Sequence, residues 1–128
     1  MFFYHFCLVA IYTLSDDRIS RSLMTMHEQG IKIRVFTEEK NMNDLGSDIQ
    51  QLANVGIPTK VDSTDFLMHL KVAIIDRTCV LSGSFNWTRS ASEGNTENVI
   101  CTSDRALVAA FVKQFEQMWP TGKIVNKG

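Results

Sequence analysis

Residues 69–88 read HLKVAIIDRTCVLSGSFNWT. Val72, Ala73, Ile74, Ile75, Val80 and Leu81 give this stretch the composition of two buried strands, 69–76 and 79–83, separated by a turn at Arg77-Thr78. Yet His69, Lys71, Asp76, Ser84 and Asn86 stand in the same run. Charged groups in an apolar strand are costly unless they are paired or used, so the fold must bring these side chains to partners. Strand side chains alternate, so His69 and Lys71 project from one face. Asp76 falls on the opposite face or at the strand end, in a supporting position. Ser84 and Asn86 follow the second strand beside Gly83, close to the same sheet end.

The rest of the chain alternates strands and helices. FCLVAIYT (6–13) reads as a first strand. Ser15 is placed to cap a helix whose first turn holds Asp16 and Asp17, where carboxylates suit the helix dipole. Ile19, Leu23 and Met26 give that helix its apolar face, and Gly30 ends it. IKIRVF (31–36) is a second strand, TEEKNMND a polar loop, and 45–55 a second helix with Ile49, Leu52 and Ala53 inward and Gly56 as terminator. IPTKVD (57–62) is a third strand that Pro58 places at a strand start or an edge. After the hairpin at 69–83 come a polar run and a strand, ENVICT (97–102). A last helix capped by Ser103 and Asp104 follows, with Leu107, Val108, Phe111, Phe115 and Met118 on one face. The order β-α-β-α-β, then a β-rich block, then α predicts an α/β fold. Its first half pairs in parallel through right-handed crossovers, and its sheet is mixed and flanked by helices. The boundaries are one domain over 1–120 and a C-terminal tail over 121–128.

The 128 residues suffice for one domain, and 45% hydrophobic against 21% charged residues excludes a disordered chain. A formal net charge of −1 argues against nucleic-acid binding by bulk charge, while leaving room for a local phosphate site. Cys7, Cys79 and Cys101 are scattered without a CxxC, so they read as reduced core thiols of an intracellular protein rather than disulfide or zinc ligands. The apolar opening, MFFYHFCLVAIYTL, is 14 residues long, short of the about 20 a membrane span needs, and reads as a core strand with no transmembrane segment. His5 and His27 read as non-catalytic, His27 lying near a helix C-terminus where a cation suits the dipole.

An imidazole, a fixed cation and small hydrogen-bonding groups at one sheet end suit phosphate chemistry. Imidazole attacks phosphorus or transfers protons near neutral pH, and an ammonium and an amide stabilise charge on non-bridging oxygens. That chemistry needs no carboxylate cluster, so neither a metal nor another cofactor is implied.

The pattern His69-x-Lys71, Asp76, Gly83-Ser84-x-Asn86 resembles, at every fixed spacing, the HKD signature of the phospholipase D superfamily. The flanks GSFNWT, NTEN (95–98), YTLSDDRIS and FEQMW resemble its single-motif branch, which includes mitochondrial cardiolipin hydrolases and Zucchini-type endonucleases. The resemblance runs from about Phe6 to Trp119. It implies a metal-independent phosphodiesterase in which His69 forms a covalent phosphohistidine. Lys71 and Asn86 bind phosphate oxygens, Ser84 assists by hydrogen bonding, and Asp76 is the motif aspartate, with a mainly structural and electrostatic role. Glu97 corresponds to the glutamate that fixes the imidazole tautomer. One motif supplies one histidine where the mechanism uses two, so the resemblance also implies a two-fold homodimer with the site at its interface and an inactive monomer. The substrate is then cardiolipin, another phospholipid, or single-stranded nucleic acid. The location implied is the mitochondrial outer-membrane surface, with membrane-surface contact. Arg34, Lys60, Arg77 and Arg89 are candidates to line the site. Relatives begin with a strand and helix ahead of the strand at 6–13, so the chain is expected to be a phospholipase D-like half lacking that first pair. The competing expectation is an inactive truncated protomer that binds lipid or a partner.

Overall fold

The computed structural model describes residues 5–42, 44 and 46–128, with Arg89 and Ser90 described by their backbone alone. The start of the apolar opening (1–4) and Leu45, the expected first residue of the second helix, lie outside the described residues. Among the described residues, seven strands form one sheet. They are β1 (Phe6–Ile11), β2 (Lys32–Glu38), β3 (Thr59–Asp62), β4 (Lys71–Ile75), β5 (Cys79–Gly83), β6 (Val99–Thr102) and β7 (Lys123–Ile124), in the order β6-β5-β4-β1-β2-β3-β7. β1 pairs in parallel with β2, and β2 with β3, whereas β4, β5, β6 and β7 join antiparallel. The sheet is mixed, with the parallel pairing in the first half of the chain as the alternation of elements required.

β1 is the middle strand and is covered on both faces, which explains its unbroken apolar run. Cys7, Val9 and Ile11 face one core with Ile33, Val35, Leu23 of α1 (Asp17–Glu28) and Ile49 and Leu52 of α3 (Ile49–Asn54). Leu8 and Ala10 face a second core with Val72, Ile74, Val80 and the Val108 and Phe115 of α5 (Arg105–Met118), the helix that follows the short α4 (Arg89–Glu93) and β6. Both helical layers thus pack on a sheet whose strands supply alternate residues to each side.

Several boundaries differ from the sequence expectation, each for a local reason. α1 is capped by Asp16, not Ser15: the Asp16 carboxylate accepts the Arg18 N–H at 3.0 Å and pairs with the Arg18 guanidinium at 2.7 Å. In the expected polar loop, Glu39–Met42 form a single helical turn, α2. α3 begins only at Ile49, and β6 only at Val99, leaving Glu97 before the strand. The 121–128 segment is not simply a tail, because Lys123 and Ile124 pair with β3 and bury Val125. Pro58 precedes β3, and β7 covers the side of β3 that would otherwise be an edge. Leu107, expected inward, is half exposed on a cleft beside Ile100 at the sheet margin. Of the cysteines, Cys7 is a core thiol, but Cys79 is half-buried and Cys101 exposed, because β6 is an edge strand with open faces.

Candidate active site

The topology brings five chain segments to one sheet end. The end of β1, the start of the antiparallel β4, the end of β5 and the entry to β6 all lie there, together with the end of β2. β4 begins two residues later than expected, at Lys71, so His69 lies just before the strand, and the two still meet: Lys71 Nζ lies 2.7 Å from His69 Nδ1, 3.2 Å from His69 Nε2 and 2.7 Å from the His69 carbonyl oxygen. A lysine ammonium only donates, so the imidazole nitrogen facing it presents its lone pair. Burial pushes the Lys71 ammonium below the usual lysine value, with the Glu97 carboxylate pulling the other way. The imidazole itself is exposed, open to a substrate.

The strands that follow supply the remaining groups. Ser84 Oγ donates to Glu97 Oε1 and accepts the Asn98 N–H, both at 3.2 Å, while the Ser84 N–H donates to the Asn98 carbonyl at 3.1 Å. Gly83 is obligatory here: a Cβ on it would sit 2.2 Å from the Asn98 carbonyl oxygen. Asn86 accepts the Thr13 N–H on Oδ1 at 3.2 Å, which ties it to the end of β1 and leaves its amide N–H groups as donors. The adjoining Trp87 bridges to Leu14 and seats this loop over α1, whose Asp16 N–H donates to the Trp87 carbonyl.

One expectation changes, while Asp76 keeps its expected place at the strand end, separated from His69 by the length of β4, roughly 20 Å. It sits in the β4–β5 turn at φ 55°, followed by Arg77 at φ 57°, and accepts the His5 N–H at 3.1 Å, a structural role at the far sheet end. Glu97 reaches the site, but among the described residues its hydrogen bond is to Ser84 and not to the His69 ring. The cations expected near the site are also elsewhere. Arg34 pairs with Glu116, Arg77 lies 3.8 Å from the same carboxylate, and Lys60 Nζ donates to the Trp119 carbonyl at 3.0 Å. The Arg89 side chain lies outside the described atoms. His27 Nε2 donates to the Val55 carbonyl at 3.0 Å, away from the site.

Sequence reading missed two residues. Tyr12 packs its ring against His69, centroids 4.4 Å apart, and lies under Lys71 Nζ at 5.1 Å. Glu38, fully buried at the end of β2, accepts the Met68 N–H at 3.1 Å and so fixes the backbone entering His69. Their only sequence signal is position: a tyrosine and a glutamate ending strands that run parallel. Among the described residues, no group of three or more His, Cys, Asp or Glu side chains gathers as a metal site, and no helix is long and apolar enough to cross a membrane.

Known proteins resemble this chain in sequence and in fold. The mitochondrial cardiolipin hydrolase of Chlamydomonas reinhardtii is 39% identical over 111 residues, covering 87% of this chain and 50% of that protein. The chain thus spans about half the length of this curated relative. Among solved structures, the phospholipase D family member Nuc from Salmonella typhimurium superposes with a TM-score of 0.91 at 25% identity, covering 96% of this chain and 83% of Nuc. NucT from Helicobacter pylori gives 0.84 at 26% identity, covering 94% and 82%. The family described as cardiolipin synthase, PLD-like domain, matches residues 5–119, and with the His69–Lys71 contact at its sheet end the chain belongs to the phospholipase D-like family.

Proposed function

We propose that the chain is the catalytic half of a metal-independent phosphodiesterase that works through a covalent phosphohistidine on His69. The observation that carries this reading is the contact of Lys71 Nζ with the exposed His69 imidazole at 2.7 Å, beside Ser84, Asn86 and Glu97. An imidazole nitrogen of His69 attacks phosphorus, a P–N bond forms and the P–O bond to the leaving group breaks. The departing oxygen takes a proton from the His69 of a second copy across a two-fold axis. Water, deprotonated by that second imidazole, then breaks the P–N bond and releases the phosphate product. Lys71 and the Asn86 amide meet the charge on the non-bridging oxygens. Ser84 and Glu97 hold this loop in register, and Asp76 supports from the β4–β5 turn.

The substrate favoured is a phospholipid of the cardiolipin type, on a membrane surface. Phe66, 84% exposed, and Leu67, half exposed, stand on the loop that enters His69 and suit acyl chains. The cations that would make a nucleic-acid groove, Arg34, Lys60 and Arg77, are engaged away from the site. A mitochondrial location follows the relative's name and is checked by fractionation.

The test is the mass of the purified chain in solution together with turnover of bis-p-nitrophenyl phosphate in EDTA. A dimer that turns over in EDTA and loses activity on His69→Ala is expected. A folded dimer no more active than His69→Ala means a non-catalytic module, and loss of activity in EDTA removes the metal-free mechanism. Parallel assays on cardiolipin vesicles and single-stranded RNA decide the substrate, RNA cleavage without lipid cleavage overturning the lipid assignment.

A further inference from the structure

Cys79 and Cys101 lie on neighbouring antiparallel strands, far from the imidazole. Cys101 is opposite Leu81 in the β5–β6 register, and Cys79 is two residues before Leu81, so the two thiols are diagonal neighbours on one face. Their sulfurs are 3.2 Å apart. A disulfide needs about 2.05 Å, so closing it takes a movement of about 1.2 Å. β6 is the strand that can supply it, being at the sheet edge and exposed along most of its length.

We propose that Cys79 and Cys101 form an oxidisable dithiol site, closed to an intramolecular disulfide by hydrogen peroxide or another small peroxide. Cys101 is the exposed partner and meets the oxidant first, while Cys79 is half-buried beneath it. The hydrogen bond between the two sulfurs, with burial second, raises the Cys79 thiol pKa, so the more exposed Cys101 is assigned the first step. The Cys101 thiol gives up its proton and its sulfur attacks one peroxide oxygen: the S–O bond forms, the O–O bond breaks, and the other oxygen leaves as hydroxide, which takes up that proton and becomes water. The resulting sulfenic acid is attacked by the Cys79 sulfur: the S–S bond forms, the S–O bond breaks, and the hydroxyl departs with the Cys79 proton as a second water. Two thiols are oxidised and one peroxide is reduced. Cys7 takes no part, since burial pushes its thiol up to about 11.

The crosslink closes a loop spanning 22 positions that holds Gly83, Ser84, Asn86 and Glu97. It therefore staples the edge strand to β5 and ties both ends of the segment that forms the second half of the site. This holds whatever substrate the site takes.

The experiment treats the full chain with one equivalent of hydrogen peroxide, then measures intact mass and alkylates under denaturing conditions. Expected are a loss of two hydrogens, a fall from three alkylatable thiols to one, a linked Cys79–Cys101 peptide, reversal by dithiothreitol, and a melting midpoint raised by roughly 5–10 °C. Cys79→Ser and Cys101→Ser should each abolish the mass loss, and Cys7→Ser should retain it. The proposal is overturned by gain of oxygen at Cys101 with no loss of hydrogens, by a crosslink between two copies, or by three thiols still alkylatable. If a serine variant melts early, the linked peptide from the unsubstituted chain decides alone.

Discussion

Replacing Gly83 by alanine tests the claim that close approach of β5 to the entry of β6 builds the site. An added Cβ would stand 2.2 Å from the Asn98 carbonyl oxygen and 3.0 Å from Val99 Cα, both backbone atoms that no side-chain rotation moves aside. Relief requires the strands to part by about an ångström. Overpacking of this kind costs about 1–3 kcal/mol, and loss of the Ser84 N–H to Asn98 carbonyl bond adds about 0.5–1.5 kcal/mol. The sum is about 1.5–4.5 kcal/mol. An unfolding entropy of about 2.1 cal/mol/K per residue over 128 residues converts this to a fall in Tm of about 6–17 °C. Far-UV circular dichroism melts give the shift. Turnover is measured well below both midpoints, where Gly83→Ala should also be slower because Ser84 and Glu97 no longer meet. A fall under about 2 °C with unchanged turnover would refute the reasoning.

The lowered pKa of Lys71, set by burial, means that its charge is lost as pH rises through a value below the ordinary 10.5. The alkaline limb of the pH–rate profile should therefore lie below 10.5, and Lys71→Arg should move it upward; an unmoved limb would assign it to another group. Glu38→Ala leaves the buried Met68 N–H without its acceptor, at a cost of about 1–3 kcal/mol, and should lower kcat more than it raises KM. Glu38→Gln keeps one acceptor oxygen and should recover most of kcat; equal losses in both variants would leave Glu38 no positioning role. Leu52→Ala empties a fully buried position between α3 and the sheet and should cost about 2–5 kcal/mol by urea denaturation, with activity per folded molecule unchanged.

Periodicity made most of the fold legible. His69 and Lys71, two residues apart, do touch, although the strand itself starts only at Lys71. The apolar spacing of Ile49, Leu52 and Ala53 marks the buried face of α3. What failed were features that depend on neighbours remote in the chain. Ser15 and Asp16 are equally good caps by composition, and the Arg18 side chain favours Asp16. Lys123 and Ile124 are too few to read as a strand, and only the free side of β3 makes them one. Asp76, by contrast, was legible as a strand-end residue, because an extended strand carries it to the far end of the sheet from His69.

The sequence by itself determined the chemistry offered at the site, because residue types and short-range spacing fix which groups share a strand face. It determined the two-sided burial of β1 as well, through six consecutive residues of which five are buried. Only the tertiary structure decided which strand ends meet. That follows from pairing direction: β1 and β2 run parallel and β4 antiparallel to them, so Tyr12, Glu38 and His69 converge although they lie in separate parts of the chain. The same antiparallel register set Cys101 within 3.2 Å of Cys79, a pairing that a count of three scattered cysteines had no means to reveal.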